Sequence, residues 1–460
     1  MQKLKQHPLI TGTLVLTITG LISRFIGFFY RIYLSRLFGE EGMGIYQLMS
    51  PVLSLSFSLA AAGYQTAISK FVAEVTARTR RASYKPLYIG LSISVPLSVL
   101  CTVVIYFGAD YIATSLISEP RTASMLRIIA FSVPLSAIHS CINGYFYGIK
   151  KTGIPAASQL LEQCVRVGCV YAISAYAFAN GSEPTINVAV LGLVIGELFS
   201  MMLTIVAIFS RYRKDRPEAR LSRHLSVSEI TGNISSSTAS AYRHLLAMAL
   251  PLTLNRIVIN ILASVESVSI PAKLKLYGYD TTTALSVYGV LTGMAMPLIY
   301  FPNALTNSVS VLLLPVISEA YTLGDMAAVI KATVKTVKYC AILGLVCMAV
   351  FLLLGKWAGE TLFDSALAGH FIVTLSFICP FIYLDTTLSS ILQGLGMAGR
   401  IFIMNVISLL IRLGFVFFAV PVVGITGYLW GILVSQIVLT IMYLGCLYFG
   451  GRKIKSGVGR

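Results

Sequence analysis

Two arginines stand where a lipid-spanning helix should carry no charge. Arg24 and Arg31 both fall in a hydrophobic segment that begins at Leu9. A charge at the bilayer centre costs at least ~2.5–3.5 kcal/mol on insertion scales, so such residues face protein or a water-filled cavity and mark ion or substrate sites. Their spacing of seven puts them about 20° apart on a helix, on one face and two turns apart. Guanidinium forks match phosphate and carboxylate oxygens bidentately. The chemistry this implies is capture of an anion, with phosphate the best geometric match. The competing reading is a structural pairing with buried acids or carbonyls.

A second polar set lies in the apolar run beginning near residue 246. It contains Asn255, Arg256, Asn260 and Glu266. Arg256 extends the anion-binding reading. Glu266 is a candidate for binding a coupling cation or proton, or for neutralising an arginine. Glu162 and Arg166 sit at i, i+4 with the acid first, the favourable order for a structural ion pair on one helix. Further along, Arg412 has Ser408 four residues before it and needs a partner from another helix. His139 and Asp385 are candidates for titration during transport, against a reading as packing or interhelical hydrogen bonds. Glu197 and Gln65 are weaker candidates.

The elements that position these residues are membrane helices. The chain is 56% hydrophobic and 12% charged, with a mean hydropathy of +0.82. A soluble domain is about a quarter charged. Cutting the chain at ~20 apolar residues per crossing yields twelve spans. They lie at 9–37, 43–69, 87–108, 123–148, 153–178, 186–210, 246–270, 283–317, 336–355, 369–395, 401–420 and 425–449. The run after Lys3 and Lys5 is too long for a signal peptide and is read as a retained first span.

The net charge of +17 would suggest nucleic acid in a soluble protein. Here it follows the positive-inside bias, and no nucleic-acid partner is expected. Lys and Arg concentrate in alternate loops, above all Lys70 to Lys85 and Arg211 to Arg243, and in the tail from Arg452. That pattern puts both termini on the cytoplasmic side of a bacterial cytoplasmic membrane, with membrane lipids as neighbours.

The halves repeat. At a constant offset of 246, Phe131, Pro134, His139, Gly148, Gly153, Arg166 and Gly168 meet Phe377, Pro380, Asp385, Gly394, Gly399, Arg412 and Gly414. Farther on, Gly192 and Gly196 match Gly427 and Gly431. Six spans is an even number, so this is a parallel repeat, and such repeats place substrate between the halves. The expected organisation is a six-helix lobe over 1–210, a basic and Ser-rich cytoplasmic linker over 211–245, and a second six-helix lobe over 246–460. The prolines within spans, among them Pro51, Pro96, Pro134, Pro251, Pro297, Pro302, Pro315 and Pro380, are expected to kink or break them. Span eight is too long for one straight crossing.

Enzyme chemistry is not indicated. There is no phosphate-binding G-x-x-x-x-G-K-[ST] and no H-E-x-x-H. The eight cysteines form no C-x-x-C pair and lie in apolar stretches, so neither a metal site nor a disulfide framework is expected. No cofactor is implied. Coupling would come from the membrane potential, Na+ or H+.

Ser23-Arg24-Phe25-Ile26-Gly27-Phe28, Ser35-Arg36-Leu37-Phe38-Gly39 and Gly42-Met43-Gly44-Ile45-Tyr46 resemble a known pattern. Ser69-Lys70 and Asn143 to Gly148 support it. The chain resembles the multidrug/oligosaccharidyl-lipid/polysaccharide (MOP) exporter superfamily over its whole length. Within it, the chain is similar to the polysaccharide-transport branch of stage V sporulation protein B-type proteins and lipid-II flippases. The resemblance implies an all-α polytopic fold with two six-helix lobes in a V around a central cavity. It implies movement of undecaprenyl-linked sugars or peptidoglycan precursors to the outer leaflet, with envelope-synthesis enzymes as possible partners. Arg24 matches the first cavity arginine of the lipid-II flippases; their arginines on spans two and eight have no counterpart here. A cation-coupled drug or metabolite exporter and a non-transporting scaffold for envelope or spore-cortex assembly are the alternatives.

Overall fold

The computed structural model describes residues 8–79, 83–221 and 238–455. Among them the chain forms helices and turns and no β-strand. Twelve helical rods succeed one another, as the hydropathy pattern predicts. α1 is Pro8–Gln47, interrupted at Gly39. α2 comprises Ser50–Phe57, a π-helical turn Ser58–Ala62, and Gly63–Thr79. α3 is Lys85–Phe107, α4 is Thr122–Ala130 with Ser132–Gly148, α5 is Gly153–Ala179 and α6 is Asn187–Leu221. α7 is Thr238–Tyr277. α8 comprises Thr281–Gly289, a π-helical turn Val290–Ala295, Met296–Tyr300 and Asn303–Thr322. α9 is Met326–Phe363, and α10 is Ala366–Leu375 with Cys379–Gly394. α11 is Ala398–Gly414 continuing to Val423, and α12 is Ile425–Lys455.

By length and composition, 11 helices among the described residues can cross a membrane. Rod α8 counts twice, because it breaks at Phe301 and Pro302. Rods α2 and α5 fall short. The first carries Ser50, Ser54, Ser56, Ser58, Gln65 and Thr66 among its apolar residues, and the second carries Glu162, Gln163 and Arg166. The second rod therefore starts at Ser50 and runs to Thr79, displaced from the expected 43–69. Residues 40–47 instead continue the first rod beyond Gly39, whose φ of 67° and ψ of −172° only glycine adopts without strain. Pro96 and Pro315 lie inside continuous helices, whereas Pro51, Pro297 and Pro380 occupy first turns, where no N–H is needed. The middle of the basic, Ser-rich linker, residues 222–237, lies outside the described residues, as do Lys3, Lys5 and 80–82.

The helices pack as two compact units. One comprises the chain up to Gly27 with Met49–Asn260; the other comprises Phe28–Leu48 with the chain from Ile261 onward. In the first, α4 packs on α2, α3 and α6, and α5 packs on α6. In the second, α10 packs on α8, α9 and α12, and α11 packs on α12. The two units thus share one packing plan, the structural counterpart of the 246-residue repeat.

Its glycines show why they recur. A Cβ on Gly148 would stand 2.7 Å from the Ser69 carbonyl on α2, and one on Gly394 would stand 2.9 Å from the Ile317 side chain on α8. Gly192 and Gly196 admit α5, and Gly427 and Gly431 admit α11, at similar clearances. Lipid offers no hydrophobic drive between helices, so close backbone approach at small residues holds such bundles together. The surface agrees: Phe107, Leu353 and Phe418 are 79–81% exposed, which suits a hydrocarbon solvent.

Polar caps finish the second unit. Arg36 donates to the terminal carbonyls of α9, at 3.0 Å to Leu362 and also to Thr361. Ser365 caps α10 by accepting from the Ala368 N–H at 3.0 Å, while its hydroxyl donates to Glu40. Arg36 is thereby a capping residue that offsets orphan helix carbonyls.

Candidate functional site

In the second unit, Glu266 of α7 is buried and meets Arg412 of α11, with Nη2 2.8 Å from Oε2. The Tyr428 hydroxyl of α12 donates to the other carboxylate oxygen at 2.9 Å. This supplies the interhelical partner that Arg412, lacking an acid four residues earlier, requires. Asp385 on α10 is also buried. One of its oxygens accepts from Thr440 at 2.7 Å. The other is sealed from solvent and has no hydrogen-bond partner among the described residues.

In the first unit, four charged or titratable groups converge. Arg166 and Glu162 pair along α5. His139 of α4 lies beside Glu197 of α6, with Nδ1 3.0 Å from Oε2. Ligating atoms of His139, Glu162 and Glu197 all fall within 4.8 Å of one another, so by spacing alone this trio could hold a cation. Sequence reasoning named all four residues but could not join the α5 pair to His139 and Glu197. The nearest signal was the register of Glu197 beside Gly196, whose Cβ position lies 2.8 Å from the Glu162 carbonyl. A cavity of about 270 Å³ opens onto Glu197 and is also lined by Ser50, Ser54, Ser132 and Ser136.

The arginines of the sequence pattern divide between the units. Arg24 and Arg256 belong to the first, Arg31 and Glu266 to the second. Arg24 is exposed and Arg31 half-buried on α1. Leu14, Ile18, Ile22, Phe25 and Phe29 form an exposed apolar stripe on the same rod. Arg256 is exposed on α7, one turn before Asn260, which donates to the Ser54 carbonyl at 3.3 Å and bonds Ser58. Among the described residues, neither Arg24 nor Arg256 makes an ion pair or side-chain hydrogen bond. Both guanidiniums are therefore open to an external anion.

The sequence pattern of a family described as polysaccharide biosynthesis protein matches residues 9–321, more than half of the chain. The chain belongs to the polysaccharide biosynthesis protein family. It is 29% identical over 441 residues to stage V sporulation protein B of Bacillus subtilis (strain 168), covering 95% of this chain and 83% of that protein. It is 23% identical over 426 residues to lipid II flippase MurJ of the same organism, covering 88% and 76%. Its fold is similar to the inward-facing conformation of a multidrug resistance MATE family transporter of the MOP superfamily. That likeness has a TM-score of 0.73 at 17% identity and covers 97% of this chain and 100% of the other. This family member is a multi-pass membrane protein with a fold like that of MOP-superfamily transporters.

Proposed function

We propose that the chain is a flippase that moves a lipid-pyrophosphate-linked saccharide or peptidoglycan precursor to the outer leaflet by alternating access. One observation carries this reading: Arg24 and Arg256 are exposed guanidiniums on apolar helices with no ion-pair partner among the described residues. The cost of placing such charges at membrane depth is offset when they bind an anion. A pyrophosphate supplies several oxygens to a bidentate fork, and Arg31 adds a further guanidinium two turns along α1 from Arg24. The lipid tail stays in hydrocarbon while the headgroup crosses. Relatedness to stage V sporulation protein B and to a lipid II flippase supports this substrate class. Glu266 acts here as a charge-balancing residue for Arg412, and Asp385 as a coupling residue. Both termini face the cytoplasm.

The test is headgroup translocation by the full chain in reconstituted vesicles, using an undecaprenyl-pyrophosphate-linked sugar. A charge-assisted hydrogen bond contributes about 1.5–3 kcal/mol, so Arg24→Ala lowers apparent substrate affinity about 10–100-fold with the protein still folded. Translocation equal to the unmodified chain refutes the assignment.

A further inference from the structure

The second unit contains a cavity of about 410 Å³ between α8 and α10 that has no task in anion capture. Its volume falls within the ~300–1,000 Å³ of small-molecule sites. Its wall is polar but uncharged. Asn307 and Gln393 contribute carboxamides, and Ser310, Thr386, Ser389 and Ser390 contribute hydroxyls. Val311 and Leu314 supply the apolar remainder, and among the described residues no charged side chain lines it.

Most of these hydroxyl protons are already spent. Ser310 donates to the Thr306 carbonyl at 2.8 Å, Ser390 to the Ser310 carbonyl at 2.7 Å and Thr386 to the Ile382 carbonyl at 2.7 Å. Each oxygen keeps a lone pair that can accept. Gln393 Nε2 reaches Ser389 Oγ only at 3.4 Å. The Asn307 side chain makes no hydrogen bond among the described residues. Both amides therefore offer donors as well as acceptors. An amide without a partner on a membrane helix is costly, and that cost is removed when water or a ligand pairs with it.

A wall that mixes donors and acceptors without charge is complementary to a polyol, because every sugar hydroxyl both donates and accepts. A carboxylate would enter without a counter-charge and would forfeit its hydration. A cationic drug is held by acids or aromatic faces, and this wall has neither. The first unit has no such opening at the corresponding place. There a Cβ on Gly144 would stand 2.5 Å from the Gln65 carbonyl, so α4 and α2 touch through their backbones. At the 246-residue offset Gly144 becomes Ser390, whose side chain stands between α10 and the Ser310 carbonyl of α8.

We propose that this cavity holds a neutral sugar ring of the lipid-linked headgroup and selects uncharged saccharides over uronic acids and charged peptide stems. The assignment rests on the flippase reading above and deepens it by naming the sugar class. Asn307 and Gln393 bond the ring hydroxyls, the serine and threonine oxygens accept from them, and Val311 and Leu314 cover ring C–H groups. On the orientation proposed above, α8 and α10 both run toward the cytoplasm and the lining residues occupy their latter halves. The cavity thus lies on the side where the headgroup is loaded.

The experiment uses the full chain in detergent micelles and two readouts. The first is saturation-transfer NMR with free methyl glucoside and with methyl glucuronide, its charged counterpart. Transfer to the glucoside is expected, with little to the glucuronide. Affinity for the glucoside falls about fivefold or more in Asn307→Leu and in Gln393→Leu. Gln393 is exposed, so its variant carries the test if Asn307→Leu does not fold. The second readout is binding of undecaprenyl pyrophosphate with and without a neutral sugar. Asn307→Leu weakens only the glycosylated lipid, whereas Arg24→Ala weakens both. Absence of transfer to the glucoside overturns the site, as does equal transfer to the glucuronide or transfer unchanged in both variants. Tighter binding of the bare lipid pyrophosphate by Asn307→Leu overturns it in favour of an apolar tail. If neither lipid binds while the glucoside still depends on Asn307, the flippase reading falls and the sugar site stands. If both lipids bind through Arg24 with no dependence on Asn307 or Gln393, the sugar site falls and the flippase reading stands.

Discussion

Replacing Arg412 with Ala is the sharpest test of the second unit's interior. The pair is buried on both sides, with side-chain exposures of 17% for Arg412 and 5% for Glu266, and an N–O separation of 2.8 Å. With charge centres ~4 Å apart, Coulomb attraction is about 4 kcal/mol at an effective dielectric near 20. Desolvating the two ions costs several kcal/mol each, so the intact pair is close to neutral in net terms. Removing one partner is different, because it strands Glu266 with only the Tyr428 hydroxyl, and breaking such a pair costs about 3–5 kcal/mol. Arg412→Ala should therefore destabilise by about 3 kcal/mol or more. Arg412→Met with Glu266→Leu should recover most of that loss, because an apolar pair of similar volume incurs no desolvation. The assay is reversible unfolding in mixed micelles, read as a double-mutant cycle. Two results refute the reasoning: a single variant within ~0.5 kcal/mol of the unmodified chain, or losses that simply add in the double variant.

Other outcomes follow from the same geometry. Tyr428→Phe removes one hydrogen bond to a charged acceptor and should cost about 1.5–3 kcal/mol in that unfolding assay, with no cavity to confuse the result. Gly44→Ala would place a Cβ 2.1 Å from the Leu285 carbonyl, a clash with backbone that no rotamer relieves. It should lower the unfolding midpoint by about 1–3 kcal/mol equivalent, whereas Gly153→Ala, with nothing within 4 Å, should not. Arg256→Ala should weaken binding of the pyrophosphate headgroup about tenfold or more while leaving the unfolding midpoint unchanged. Binding would be followed with a fluorescent lipid-pyrophosphate analogue, and equal affinity would remove Arg256 from the site.

Much of the architecture was legible because hydropathy and length act locally. A run of about twenty apolar residues has one stable form in lipid, so twelve rods could be read from the chain. The recurring glycines exposed the repeat, and Gly148, Gly192 and Gly196 with their mates Gly394, Gly427 and Gly431 mark close helix contacts that leave no room for a Cβ. The i, i+4 order of Glu162 and Arg166 likewise foretold a pair, since one helix contains both residues. Rod boundaries were less legible. Gly39 breaks the first rod through its backbone angles, and residues 40–47 extend it instead of opening the second.

Partnerships between helices were beyond the sequence. Nothing in the order of residues joins Glu266 to Arg412, 146 positions away, or His139 to Glu197. Those choices depend on which helix faces which at a given height, and hydropathy carries no such register. The same holds for the assignment of α1 and α7, each continuous along the chain yet contributing to both units. The sequence by itself determined a duplicated bundle of membrane helices bearing misplaced charges. Tertiary packing decided which charges are neutralised inside the protein and which, at Arg24 and Arg256, have no ion pair among the described residues. The physical reason is that a buried charge is tolerable only beside its complement, and only the fold determines whether that complement is another side chain.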